Sequence, residues 1–176
     1  KKDKVNYNLS SIIPIAFHNS FRLALNEKHR FPMEKYELLP QQLILEGTSK
    51  IEDFFNPKPA SLKHVLRVHE KNYVNRLLKL SLTKNEIRSI GFPLSNDLIR
   101  REFLIAGGTI YGAEKALKSG IAMNVAGGTH HAYPNKGEAF CLLNDQAIAA
   151  QYLLDSDKVK KILILDLDVH QGNGTA

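Results

Sequence analysis

Lys161-Ile-Leu-Ile-Leu-Asp-Leu-Asp-Val-His-Gln-Gly-Asn-Gly174 is the stretch on which the fold turns. An apolar run ends in Asp166, Asp168 and His170, spaced two apart. Side chains alternate across a strand, so these three share one side while Leu167 and Val169 take the other. The run predicts a strand from Lys160 to Val169, the last and strongest of the chain. Two carboxylates at the edge of a buried strand are costly to desolvate unless a positive charge sits beside them. A divalent metal meets that need, and carboxylate oxygen with imidazole nitrogen suits zinc and its neighbours. Asp168 and His170 are the two ready ligands. A catalytic zinc needs a third protein ligand and keeps one position open. The plainer alternative is a polar strand end that caps a neighbouring helix or binds water.

Working back from this strand, Asn144-Asp145 predicts the start of a helix that runs to about Leu154. Ile121 to Ala126 reads as a short strand, followed by a glycine-rich loop. Asn96 or Asp97 caps a long helix to about Lys118, and Gly120 stops it. Gly107-Gly108 lies inside that helix at a cost of ~1 kcal/mol per site relative to alanine, so close backbone packing is expected there. Gly91-Phe-Pro93 is a break. Ser61 caps an amphipathic helix to about Leu80, with Leu62, Val65, Leu66, His69, Tyr73, Leu77 and Leu80 at helical spacing. Asn56 to Ala60 is a loop. Met33 to Glu46 reads as helix, as does Asn19 to Lys28, capped by Asn19 or Ser20. Ser11 to Phe17 reads as a short strand, with Pro14 suggesting a sheet edge. Strands separated by helices predict one α/β domain over residues 1–176 with a parallel sheet. Ligands of such sheets gather beyond the carboxyl ends of the strands. The loop after Ala126 and the Asp166 stretch both fall there.

Composition narrows the function. The 176 residues, 43% apolar and 24% charged, suffice for an ordinary domain with a sizeable core. No apolar stretch approaches the ~20 residues of a membrane span, and the charged start Lys1-Lys-Asp-Lys lacks the apolar segment of a secretory signal. The single cysteine, Cys141, excludes an internal disulfide framework and fits a reducing compartment. A cytoplasmic protein is expected, or a nuclear one if eukaryotic. The net charge of +6 and pI near 9.4 come from scattered lysines and arginines, with small knots at Lys1-Lys2, Arg100-Arg101 and Lys158 to Lys161. These read as a solvated surface, so neither nucleic acid nor membrane is an expected partner.

Two further stretches carry chemistry. Gly127-Gly-Thr-His-His-Ala132 follows a strand, and its adjacent histidines can present two imidazoles to one cavity. One could take a proton from water and the other hold or deliver charge; on a bland surface the pair would mean nothing. Gly137-Glu-Ala-Phe-Cys-Leu-Leu-Asn-Asp145 offers Phe140 as a channel wall or as core. Cys141 beside two histidines raises a thiolate nucleophile, but that reading leaves Asp166, Asp168 and His170 unexplained.

Together, Gly127 to Ala132, Phe140 to Asp145 and Asp166 to Gly174 resemble, in order and separation, the zinc-dependent histone deacetylase family. That family includes bacterial acetoin-utilisation and acetylpolyamine deacetylase relatives. His29-Arg-Phe-Pro-Met-Glu-Lys-Tyr36 looks like the opening of its class IV-like branch, so the resemblance runs from about Pro14 to Ala176. It implies an arginase/deacetylase-type parallel sheet with helices on both faces, here an N-terminal portion. Asp168 and His170 would be metal ligands, to zinc or ferrous iron. His130 and His131 would be the tandem histidines. Asp166 would orient His130 and help hold a structural potassium ion. Asn173 would stand behind His131, where many relatives carry aspartate; an amide supplies no charge to that ring. Phe140 would wall an acyl-lysine channel and Cys141 its floor. Ala139 replaces a common glycine, which puts backbone approach to the substrate in question. Arg30 would lie near an internal exit of the pocket. The third ligand, an aspartate, and a carbonyl-polarising tyrosine would lie beyond Ala176, so a chain truncated after the metal-ligand loop is expected, inactive by itself.

The implied activity is hydrolysis of an N-acetyl or longer acyl amide on a lysine or small amine. One rival is an arginase-like ureohydrolase, which would want an acid two residues beyond His170, where Gly172 stands. The other is a catalytically inactive acyl-lysine-binding or assembly module.

Overall fold

The computed structural model describes residues 13–176. Ser11 and Ile12 of the expected first strand, and the Lys1-Lys2 knot, lie outside the described residues. Three short strands, β1 (Ile15–Ala16), β2 (Phe54–Phe55) and β3 (Met123–Asn124), form a parallel sheet in the order β2-β1-β3. Ile15 pairs with both Phe54 and Met123. β1 is therefore central, which corrects the edge position inferred from Pro14. The proline stands just ahead of the paired residues, where its missing N–H is not needed, and its carbonyl accepts the Met123 N–H at 2.8 Å.

The helices are α1 (Lys35–Leu45), α2 (Leu62–Val65), α3 (Lys71–Leu78), α4 (Lys84–Ile90), α5 (Asn96–Ser119) and α6 (Asp145–Asp155). α5 is the spine, packed on β1, β3 and α6. Ser95 caps it, one residue before the expected Asn96 or Asp97, by accepting the Leu98 N–H at 3.1 Å. The glycine pair inside α5 marks close packing, as expected. A Cβ on Gly107 would stand 1.9 Å from the Lys58 carbonyl oxygen, and one on Gly108 would meet the Ala16 Cβ at 3.2 Å. Phe21, Tyr73, Leu77, Ile90, Phe92, Leu98, Ile105, Leu142 and Ile148 form the heart of the core around this spine.

Tertiary bonds shorten two expected helices. The Ser61 to Leu80 helix is two pieces, α2 and α3, because the break between them is bonded to the loops of the site. There the His69 ring holds Tyr133 and Asn144, and the Glu70 N–H donates to the Pro134 carbonyl at 2.8 Å. The Asn19 to Lys28 helix contracts to one 3-10 turn, Asn19–Phe21, capped by His18. Phe21 is buried, and its carbonyl accepts the Arg101 Nε–H at 2.7 Å in place of a helical N–H. α4 has no counterpart among the expected helices, although Thr83 and Glu86 cap it reciprocally. The Met33 to Glu46 helix stands as α1.

The largest departure concerns residues 160–169. Among the described residues, none of their backbone groups bonds to another backbone group, and no strand is formed. Pairing needs a neighbour with free N–H and C=O groups, and beyond Asn124 the chain turns into the histidine loop instead of extending β3. Ile162 to Leu165 lies along Ala113, Ala149 and Leu153 of α5 and α6, while Leu163 (86%) and Val169 (93%) stay exposed. Two local bonds shape the end of the segment. The Asp168 N–H donates to Asp166 Oδ1 at 3.0 Å and the His170 N–H to Asp168 Oδ1 at 2.7 Å.

Candidate functional site

The site grows from the end of β3. Asn124 ties that strand to α5, its Nδ2 donating to the Ile105 carbonyl at 2.9 Å and to Thr109 Oγ1 at 2.8 Å. The chain then enters Gly127-Gly128-Thr129, which is wrapped around the buried carboxylate of Asp145. Asp145 Oδ1 accepts the Gly128 N–H (3.0 Å), the Thr129 N–H (2.8 Å) and the Thr129 hydroxyl (2.6 Å), while Oδ2 accepts the Thr109 hydroxyl. This carboxylate begins α6, so helix and loop are fixed together and His130 and His131 leave the loop in set directions.

The rings of His130 and His131 lie 4.2 Å apart. His130 Nδ1 meets Asp166 Oδ2 at 2.6 Å, and His131 Nδ1 meets Asn173 Oδ1 at 2.7 Å. Both oxygens accept, so each Nδ1 carries a proton. Asp166 and Asn173 thus stand behind the two rings. The His130 hydrogen bond, and then the Asp168 N–H, hold the Asp166 carboxyl below the usual aspartate range. Asp168 Oδ1 and His170 Nδ1 lie 3.0 Å apart, and the His131 and His170 rings are 6.0 Å apart. The His170 backbone N–H, with its ring next, lowers the Asp168 carboxyl as well.

His130, His131, Asp168, His170, Phe140, Ala139 and Cys141 line one cavity of about 590 Å³, within the range of small-molecule sites. Phe140 is held by α4, its N–H donating to the Ile90 carbonyl at 2.6 Å, and its ring packs 4.9 Å from Phe31 and 5.0 Å from Phe92. Ala139 and Phe140 both adopt positive φ, 45° and 69°. Ala139 therefore takes the left-handed backbone that a glycine accepts without a Cβ penalty, and the turn survives the replacement. Arg30 places its guanidinium 4.9 Å over the Phe140 ring, on the cavity wall. Burial pushes the Cys141 thiol up to about 12, which disfavours the thiolate that a nucleophile needs. Lys35, Tyr36 and the buried Arg101 also line the cavity. Arg101 is 2% exposed, which corrects its reading as part of a solvated surface knot, and none of the three was expected at the site because only the fold brings them here. Asn144, Asp145 and His69, read as helix residues, hold the loops together.

Asp168 and His170 fit a divalent ion as two of its ligands. Asp168 Oδ1 and His170 Nδ1 are hydrogen-bonded to each other at 3.0 Å, and two donors on one tetrahedral ion with bonds of ~2.0–2.1 Å lie ~3.3 Å apart, so a small parting of the pair would admit the ion. Among the described residues, no group of three His, Cys, Asp or Glu side chains completes a set.

A family model described as the histone deacetylase domain matches residues 29–176. The chain belongs to the histone deacetylase family. Members are deacetylase-type hydrolases and generally metal-dependent. An uncharacterized protein of Picosynechococcus is 42% identical over 163 residues, covering 93% of this chain and 54% of that protein. Histone deacetylase 2 of Arabidopsis thaliana is 31% identical, covering 97% and 44%. Acetoin utilization protein AcuC of Staphylococcus aureus is 29% identical, covering 85% and 41%. The chain spans about half the length of these curated relatives. The crystal structure of an HDAC homolog from Aquifex aeolicus matches with a TM-score of 0.76 at 24% identity, over 93% of this chain and 46% of that one. An HDAC homolog complexed with SAHA matches at 0.76 and 25%. The fold is thus the arginase/deacetylase type, present as its N-terminal portion.

Proposed function

We propose that the complete polypeptide is a zinc-dependent hydrolase of N-acetyl or longer acyl amides on lysine or a small amine. One observation carries the reading. Two imidazoles, each with its own Nδ1 partner, share a cavity wall with the Asp168–His170 pair. Asp168 and His170 would hold the zinc. When bound, the ion supplies Lewis acidity to the amide carbonyl and to a water. His130 and His131 would move the protons through Nε2, one drawing a proton from the attacking water and the other delivering one to the departing amine. The Asp166 carboxylate would stabilise charge on the His130 ring as it forms, whereas the Asn173 amide orients His131 without adding charge. Asp166 keeps lone pairs for a structural potassium ion, which would take no part in the reaction. Phe140, with Ala139 and Cys141, would line the acyl channel.

Among the described residues no third His, Cys, Asp or Glu joins Asp168 and His170, so the described residues by themselves are expected to be inactive. The test is turnover of an acetyl-lysine reporter by the complete polypeptide, with and without a chelator, and with SAHA as competitor. We expect turnover that chelation abolishes, zinc restores and SAHA inhibits. Turnover indifferent to chelation would sink the metal reading, and tight zinc binding without turnover would favour an inactive binding module.

A ureohydrolase is disfavoured by the same geometry. A Cβ on Gly172 would stand 2.3 Å from Asp166 Oδ2, so an acid there would displace the carboxylate that holds His130. Cys141→Ser is expected to keep most of the turnover, since the buried thiol forms no bond in the reaction. Near-total loss with the fold intact would revive the thiol.

A further inference from the structure

Asn144 sits where three segments of the site meet, and it is 1% exposed. Its Oδ1 caps α6 by accepting the Ala147 N–H at 3.0 Å. Its Nδ2 donates to Thr175 Oγ1 at 2.9 Å and to the Ala132 carbonyl at 3.4 Å. Ala132 follows His131, and Thr175 lies two residues past Asn173. The Asn144 backbone N–H donates to His69 Nε2 at 3.0 Å, so the His69 proton sits on Nδ1 and is given to the Tyr133 carbonyl, 3.0 Å away. A second strut joins the same two loops, from the Gly174 N–H to the His130 carbonyl at 2.9 Å. The loops approach so closely there that a Cβ on Gly174 would stand 2.5 Å from the Ala132 oxygen.

The His131–Asn173 bond joins groups 42 positions apart in sequence. Its length depends on how these two loops sit against each other, and a site tolerates only about 0.5 Å of slack. We infer that Asn144 is a positioning residue, fixing the His131 loop against the Asn173 loop in addition to capping α6. The kinetic part of this inference rests on His131 belonging to the proposed proton relay.

Asn144→Asp separates the two tasks. A carboxylate still caps α6, at a helix end that favours negative charge, but it has no N–H for the Ala132 carbonyl, and it keeps Thr175 only if the hydroxyl turns round to donate. In the complete polypeptide we expect N144D to melt below the wild type, because it buries a carboxylate against the Ala132 carbonyl, so its kinetics are read beside those of Thr175→Val, which adds no charge. The kcat of N144D on the acetyl-lysine reporter should fall about tenfold with KM unchanged. Thr175→Val should reproduce the fall, Thr175→Ser should restore turnover, and N144D combined with T175V should lose no more than either alone, as partners in one bond do. A readout independent of turnover is the His131 ring Nδ1 proton in NMR. It should exchange slowly with water in the wild type and in T175S, and quickly in N144D and T175V.

Unchanged kcat and unchanged ring-proton exchange in both N144D and T175V would overturn the inference. Losses that add in the double variant would do the same, reducing Asn144 to a helix cap. Should N144D fail to fold, the contrast between T175V and T175S decides alone. Should the wild type show no deacetylation, the proposed function falls, and the ring-proton measurement still decides the positioning role.

Discussion

His131→Ala in the complete polypeptide is expected to lower acetyl-lysine turnover by about 10²- to 10⁴-fold, the range that one positioned acid–base group supplies, while the metal stays bound. The geometry separates these two properties. His131 contributes a ring whose Nδ1 is already taken by Asn173 at 2.7 Å. The ring stands 6.0 Å from that of His170, beside the Asp168–His170 pair and not within it. Its Nε2 is the atom left to handle a proton on the cavity wall. Removing the ring should therefore abolish the proton transfer and leave the ligand pair unchanged. Metal content measured alongside kcat checks this. If turnover and metal disappear together, His131 is a ligand and the assignment of Asp168 and His170 is incomplete. A rate within a few-fold of wild type, with metal retained, would remove His131 from the relay.

The sequence pattern supplied the fold class and named groups that the structure gathers together, yet it misplaced individual strands and helices, for a physical reason. Asp166, Asp168, His170, His130, His131 and Asn173 sit in two short loops whose internal spacing sets most of their geometry, so local reading found them. The expected strand from Lys160 to Val169 depends on a neighbour that no local pattern contains. The same gap misplaced β1, because Pro14 reports only on its own N–H and not on the strands that flank it. The helix expected through His69 failed because two tertiary hydrogen bonds outweigh a continuous apolar stripe. The glycine pair in α5 was legible because glycine in a helix interior costs stability and so calls for a contact to explain it. Lys35 and Arg101 carried no such signal. They reach the cavity from α1 and α5, and a lysine or arginine on a helix ordinarily faces water.

Arg101→Met is expected to destabilise the protein by about 3–5 kcal/mol, the cost of leaving a buried charge without its partner. Arg101 and Glu102 are each 2% exposed, and Arg101 Nη1 donates to Glu102 Oε1 at 2.5 Å. The guanidinium also holds the Phe21 carbonyl and lies 4.9 Å over the Tyr36 ring and 5.7 Å from that of Phe92. Methionine keeps much of the volume and removes every one of these polar contacts. Glu102 Oε2 already has no hydrogen-bond partner among the described residues, so losing the guanidinium leaves the carboxylate further from satisfied. Burial pushes the Glu102 carboxyl up, and Arg101, with the Leu142 backbone N–H, pulls it down; without the arginine the upward push of burial, joined by the Asp145 charge, is opposed by the Leu142 N–H alone. A folded carboxyl raised above its unfolded value binds more protons than the unfolded chain does. Stability of the variant should then fall as pH climbs above the ordinary glutamate range, making the loss smaller near pH 5 than near pH 8. Glu102→Gln in the same background removes the buried charge and should recover part of the loss. Urea unfolding of the complete polypeptide at both pH values checks all three statements. A pH-independent loss that E102Q does not relieve would assign the cost to the Phe21 and ring contacts, and remove the ion pair as its cause.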